Sequence, residues 1–139
     1  MPGLPCSPMS APSFDAKGQD RTTFAPFKLQ NCLATEWADV RLSFDDWGFL
    51  HGLMGTDTVD GYYLNGYGVE GLVRAALLAA GGDPDGDEMH GNSEGDTCYL
   101  HFTSLESAVA AATAAAAMMK SRERVAELIK IAREHGFED

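Results

Sequence analysis

The chain is short of positive charge. Its 139 residues carry 10 Lys plus Arg against 21 Asp plus Glu, a formal net charge of −11 with four His counted neutral. A surface of that sign argues against general affinity for nucleic acid or for an anionic membrane, since both require basic groups. Long apolar runs are missing as well. The Ala-rich stretch Ala108–Met119 falls short of the ~20 residues that a membrane helix needs, and Thr113 interrupts it. Residues Met1–Ser13 lack the basic and apolar regions of a secretion signal and contain four Pro. The three cysteines, Cys6, Cys32 and Cys98, cannot all pair with one another and form no CxxC motif. They read as reduced, buried thiols of a cytoplasmic protein.

What is present is an ordinary globular balance, 45 % hydrophobic and 22 % charged, enough for one core and one domain. Residues 1–21 are rich in Pro, Ser, Gly and Asp, which predicts a disordered N-terminal extension before a single domain over 22–139. Phe27, Leu29 and Leu33 fall on odd positions, and Val40, Leu42 and Phe44 alternate with Arg41, Ser43 and Asp45. That period predicts two half-buried strands in a hairpin. Trp47, Phe49, Leu50, Leu53 and Met54 suit a short helical turn. A helix beginning near Val69 has Leu72, Val73, Ala76, Leu77 and Ala80 on its apolar face, and Gly81-Gly82 stops it.

Asp83–Asp96 reads as a polar loop holding six acids. Thr97–Phe102 predicts another strand, with Cys98, Leu100 and Phe102 inward and Tyr99 and His101 on the other side. Thr103-Ser-Leu-Glu106 matches a capping box for a helix striped by Leu105, Ala108, Val109, Ala112 and Ala116. Ser121 caps a last helix carrying Val125, Leu128, Ile129 and Ala132, which ends at Gly136. The sum is an α+β fold: a small antiparallel sheet of about three or more strands, helices on one face, and two C-terminal helices.

Few residue patterns carry chemistry. Gly66-Tyr-Gly68-Val-Glu-Gly71 is formally G-x-G-x-x-G, but no buried strand precedes it and Glu70 would repel a phosphate. Turn-making and close packing explain these glycines better. Asp83, Asp85, Asp87 and Glu94 occupy positions 1, 3, 5 and 12 of a calcium loop, yet Glu88 stands where that loop wants Gly. Cys98 and His101 project to opposite faces of one strand, and His51, His90 and His135 are isolated. Asp45-Asp46 is a carboxylate pair whose members face apart. No Ser or Cys occupies a nucleophile turn, so the chain does not read as an enzyme.

Charge placement is more informative. From Asp57 to Asp96 nine acids stand against one base, Arg74, a local balance of −8. Tyr62, Tyr63 and Tyr67 share that stretch, and tyrosine commonly anchors protein interfaces. An acidic, aromatic surface of this kind fits a basic protein partner.

Two segments together resemble the bacterial Immunity protein 51 family of polymorphic-toxin systems. Asn65-Gly66-Tyr67-Gly68-Val69-Glu70-Gly71-Leu72 is similar to a family G-N-G-Y-D-W-E-x-L block that opens a helix. Glu94-Gly-Asp-Thr-Cys-Tyr99 is similar to an acidic turn leading into a strand. Order and spacing extend the likeness over roughly residues 24–137. Leu64 replaces the family's first Gly, Gly68 its Asp and Val69 its Trp, which removes a helix-capping Asp.

The resemblance implies a cytoplasmic, non-enzymatic antitoxin without a cofactor, whose partner is a cognate bacterial toxin domain. Many such toxins are nucleases with basic grooves, and a segment of charge −8 could occupy one as a phosphate mimic. The expected partner surface is Tyr62, Tyr63 and Tyr67 with Asp83, Asp85, Asp87, Glu88 and Glu94. The alternative is a small calcium-binding module centred on Asp83–Glu94. A third expectation is a small-molecule or enzymatic site in the Trp47–Tyr67 region.

Overall fold

Alternating side chains build the centre of the sheet. Val40, Leu42 and Phe44 are fully buried, and each is paired across the sheet with a residue of the second alternating strand: Phe102, Leu100 and Cys98. The computed structural model describes residues 11–84 and 88–137. In chain order the elements are β1 (Gln19–Asp20), β2 (Lys28–Cys32), β3 (Asp39–Phe44), α1 (Trp47–Met54), β4 (Thr58–Val59), β5 (Tyr62–Tyr63), α2 (Gly66–Ala79), β6 (Met89–Gly91), β7 (Cys98–Phe102), α3 (Leu105–Met118) and α4 (Arg122–Glu134). Five strands form one antiparallel sheet in the order β1-β2-β3-β7-β6, and β4 pairs with β5 in a small hairpin. The expected α+β architecture with two C-terminal helices is what the chain adopts.

The helices cover one face of the sheet. α3 packs on β2, β3 and β7, α2 packs on α3 and β7, and α4 packs on α2. Ala108, Ala111, Ala112 and Ala115 of α3 are fully buried, so small side chains let this helix sit close to its neighbours. Ser121 caps α4 as expected, accepting the Arg124 N–H at 3.2 Å. Val125, Leu128, Ile129 and Ala132 are all buried, on the stripe read from their spacing.

Several boundaries differ from expectation. Residues 11–21, read from composition as part of an N-terminal extension, include β1. Gln19 and Asp20 pair with Gln30 and Leu29 as the sheet's edge, and Asp20 is only 1 % exposed. Its carboxylate accepts the backbone N–H groups of Ser13, Thr22 and Thr23 at 2.8–3.0 Å. Burial alone would favour the protonated acid, but those bonds outweigh it and hold the Asp20 pKa down at about 2. One buried carboxylate thus organises a segment that composition marks as unstructured.

The polar loop contains a strand. Met89, His90 and Gly91 pair with Phe102, His101 and Leu100, and Met89 turns inward. α2 begins at Gly66 rather than near Val69, and Asn65 supplies the cap by accepting the Gly68 N–H at 2.9 Å. Ser104, not Thr103, caps α3, while the Thr103 N–H goes to the Glu88 carbonyl oxygen. Leu33, expected inside, is 39 % exposed and lies just beyond the end of β2.

Candidate functional site

The glycine block at the start of α2 is a packing device. A Cβ at Gly66 would lie 1.6 Å from the Glu94 carbonyl oxygen, and one at Gly68 would lie 1.9 Å from that of Tyr63. At Gly71 the obstacle is the Phe137 carbonyl oxygen at 2.3 Å. Three separate stretches of backbone therefore close around this turn. The Gly66 N–H donates to the Gly95 carbonyl and the Gly68 N–H to Asn65, so these two amides are already engaged. The dinucleotide pattern is formal only, and close approach accounts for its glycines.

The tyrosines divide between core and surface. Tyr62, expected at the partner surface, is 1 % exposed, and its hydroxyl donates to the Gly68 carbonyl oxygen at 2.5 Å. The Arg133 guanidinium lies over its ring. Strand β5 turns one tyrosine inward and its neighbour outward, so Tyr62 is a core residue and Tyr63 is 67 % exposed. Tyr67, in the first turn of α2, is 45 % exposed.

The described acids of this stretch, Asp83, Glu88 and Glu94, are strung along α2 rather than gathered. Arg74, paired with Glu70 on the same helix, donates to the Pro84 carbonyl, and Gly91 packs against the Glu70 carboxylate. Further on, Glu94 and Gly95 reach the first residue of the helix. The described residues of this stretch, 83–84 and 88–94, thus lie beside α2. Asp83 shares a cavity with Leu77 near the helix C-terminus, while Glu94 meets Gly66. Eleven residues of helix rise separate these levels by ~16 Å, far more than one calcium ion can span.

Glu94 therefore joins Tyr63 and Tyr67 at one end of α2, whereas Asp83 and Glu88 are exposed beside the cavity at the other. Asp85 and Asp87 lie outside the described residues. Among the described residues no group of three or more His, Cys, Asp or Glu gathers to hold a metal. Glu94 and Asp96 are both exposed, and the Asp96 carbonyl accepts the Trp47 indole N–H at 2.9 Å. Nearby, His51 Nε2 donates to the Leu64 carbonyl oxygen at 3.0 Å. The polar atoms of Trp47 and His51 thus bond backbone carbonyl oxygens.

Sequence reasoning missed a polar network on the sheet face that the helices leave open. Asp39 accepts from Arg41 Nε through one oxygen, at 3.0 Å, and lies 3.0 Å from His101 Nδ1 through the other. Arg41 also donates to the Tyr99 hydroxyl at 3.3 Å, and its guanidinium stacks over Trp37. Burial opposes ionisation of Asp39, but the bonds from His101 and Arg41 prevail and hold its carboxyl below the usual value. An aspartate that fixes an imidazole in this way can orient it for proton transfer. No serine or cysteine side chain bonds that imidazole among the described residues, so a nucleophilic triad is not assembled. The sequence signal was Tyr99 and His101 sharing the outer face of β7; their partners depend on strand register.

Cys98 is wholly buried beneath this sheet, and burial pushes its thiol pKa up to about 12. It is an inert core group rather than a reactive one. No helix among the described residues is long and apolar enough to cross a membrane. Comparisons with protein-family models, curated proteins and solved structures return no match.

Proposed function

We propose that the chain is an immunity protein: a cytoplasmic, non-enzymatic antitoxin that binds a cognate bacterial toxin domain. The observation that carries this reading is the surface at the N-terminal end of α2. There Tyr63 and Tyr67 are 67 % and 45 % exposed, and the exposed acids Glu94 and Asp96 belong to the turn that closes on Gly66 at the same helix end. Large aromatic groups left in water at one helix end with carboxylates suit a partner that offers apolar contact and basic charge. The tight glycine turn beneath them is closed by three backbone contacts, so the surface is pre-organised and loses little entropy on binding. The resemblance of this block and of the Glu94–Tyr99 segment to the immunity family points the same way.

Inhibition follows from covering the toxin's active site or blocking a motion it needs. Exposed acids at both ends of α2 favour rapid, salt-sensitive encounter with a basic toxin such as a nuclease. The test is co-expression with the product of the adjacent upstream gene. That product should arrest growth alone and be harmless with this chain. A product that is harmless by itself, or that remains toxic in the presence of the chain, overturns the reading.

A further inference from the structure

Two consecutive rows of side chains cross the open face of the sheet, and neither contains a carboxylate. Directly paired residues of neighbouring strands project to the same face. The first row therefore runs Gln19, Gln30, Arg41, His101, His90 across all five strands. The second holds Lys28, Ser43 and Tyr99. Arg21 extends it at the edge, two residues beyond Gln19 and bonded to the Gln19 side-chain oxygen at 2.8 and 3.2 Å.

This placement runs against the composition. In a chain with 21 acids and 10 Lys plus Arg, three of the bases, Arg21, Lys28 and Arg41, line one small cavity with Ser43 and Tyr99. The nearest row acid, Asp39, is committed to Arg41 and His101. Lys28 faces Asp45 at 3.6 Å, a solvent-facing pair that competes weakly for the ammonium. Arg41 is clamped by Asp39 and Tyr99 and Arg21 by Gln19, so the guanidinium groups are positioned before any ligand arrives. The cavity volume is about 120 Å³. At about 30 Å³ per water molecule, that suits a single small oxyanion and not a whole nucleoside.

We propose that this groove is a binding site for an oxyanion, either a phosphate group or a carboxylate. Arg21, Lys28 and Arg41 supply the charge, and the Ser43 and Tyr99 hydroxyls supply hydrogen bonds. The site needs no toxin, so it stands or falls apart from the antitoxin reading.

The test is an NMR titration of the full chain at pH 7 and fixed ionic strength, with chloride as the balancing ion. Inorganic phosphate is one probe and a triglutamate peptide the other. Saturable shifts confined to Arg21, Lys28, Gln30, Arg41, Ser43 and Tyr99 are expected, with millimolar affinity. The double variant Arg21→Gln, Lys28→Gln changes two solvent-facing residues and should weaken binding about fivefold or more. Saturation by phosphate alone assigns a phosphate group; saturation by the peptide, alone or with phosphate, assigns a protein carboxylate as a ligand too. No saturable shift with either probe to about 50 mM, or undiminished binding in the double variant, overturns the site.

Discussion

His101 Nδ1 lies 3.0 Å from Asp39 Oδ2, although 62 residues separate the two in the chain. The other oxygen of the same carboxylate accepts from Arg41, so one acid on β3 ties two strands together on their outer face. Its folded pKa is lowered from 3.8, so its stabilisation is present above that value and disappears as pH falls through the depressed one. Asp39→Ala leaves Arg41 and His101 without their shared acceptor. A loss of ~1–3 kcal/mol at pH 7 is expected in urea denaturation, and an unchanged midpoint would show the network to be ornamental.

Asp20 should govern the acid limb of the stability curve. Its pKa is about 2 in the folded chain against 3.8 without the fold, a difference equivalent to ~2 kcal/mol. That contribution is complete above pH ~4 and fades as pH falls toward 2. Asp20→Asn should therefore lower stability at neutral pH and flatten the loss between pH 4 and 2. Parallel curves for the two proteins across that interval would contradict the assignment.

Two helix glycines should respond to alanine with opposite signs. Gly68→Ala drives a methyl to 1.9 Å from the Tyr63 carbonyl oxygen, and backbone must move to accept it. A loss of ~3 kcal/mol or more is expected, or failure to fold. Gly52 lies inside α1 with nothing within 4 Å of an added Cβ. There Ala should add ~0.5–1 kcal/mol through helix propensity and reduced unfolded-state entropy. Thermal melts of both variants decide whether the packing of this block is as tight as described.

The features legible in sequence were those with a period. Val40, Leu42 and Phe44, then Cys98, Leu100 and Phe102, declared their strands by alternation, and Ser121 declared the start of α4. Gln19–Asp20 and Met89–Gly91 are two and three residues long. Segments that short have no period to read, and their strand identity comes from the edges they complete. Adjacent Tyr62 and Tyr63 must face opposite ways, but only the β4–β5 hairpin decides which one is inside. For the same reason Asp83, Glu88 and Glu94 read as one loop in sequence, whereas the contacts of Pro84 with Arg74 and of Gly91 with Glu70 set the described residues at different levels along α2.

That division of the tyrosines makes a direct comparison possible. Tyr62→Phe removes the buried hydroxyl that satisfies the Gly68 carbonyl, and should cost ~1–2 kcal/mol of stability. Tyr63→Ala removes an exposed ring and should change stability by under ~0.5 kcal/mol. Denaturation midpoints of the two variants measure this. A Tyr63 variant as unstable as the Tyr62 variant would mean that both rings serve the core.

The central claim is that Tyr63 and Tyr67 with Glu94 form the toxin-facing surface. It is tested most directly by the affinity between the purified chain and the purified product of the adjacent upstream gene. The unaltered chain should form a stable complex. The triple variant Tyr63→Ala, Tyr67→Ala, Glu94→Gln should keep its fold and bind at least about tenfold more weakly, a difference of ~1.4 kcal/mol. Absence of a complex with the unaltered chain, or equal affinity in the variant, would contradict the account.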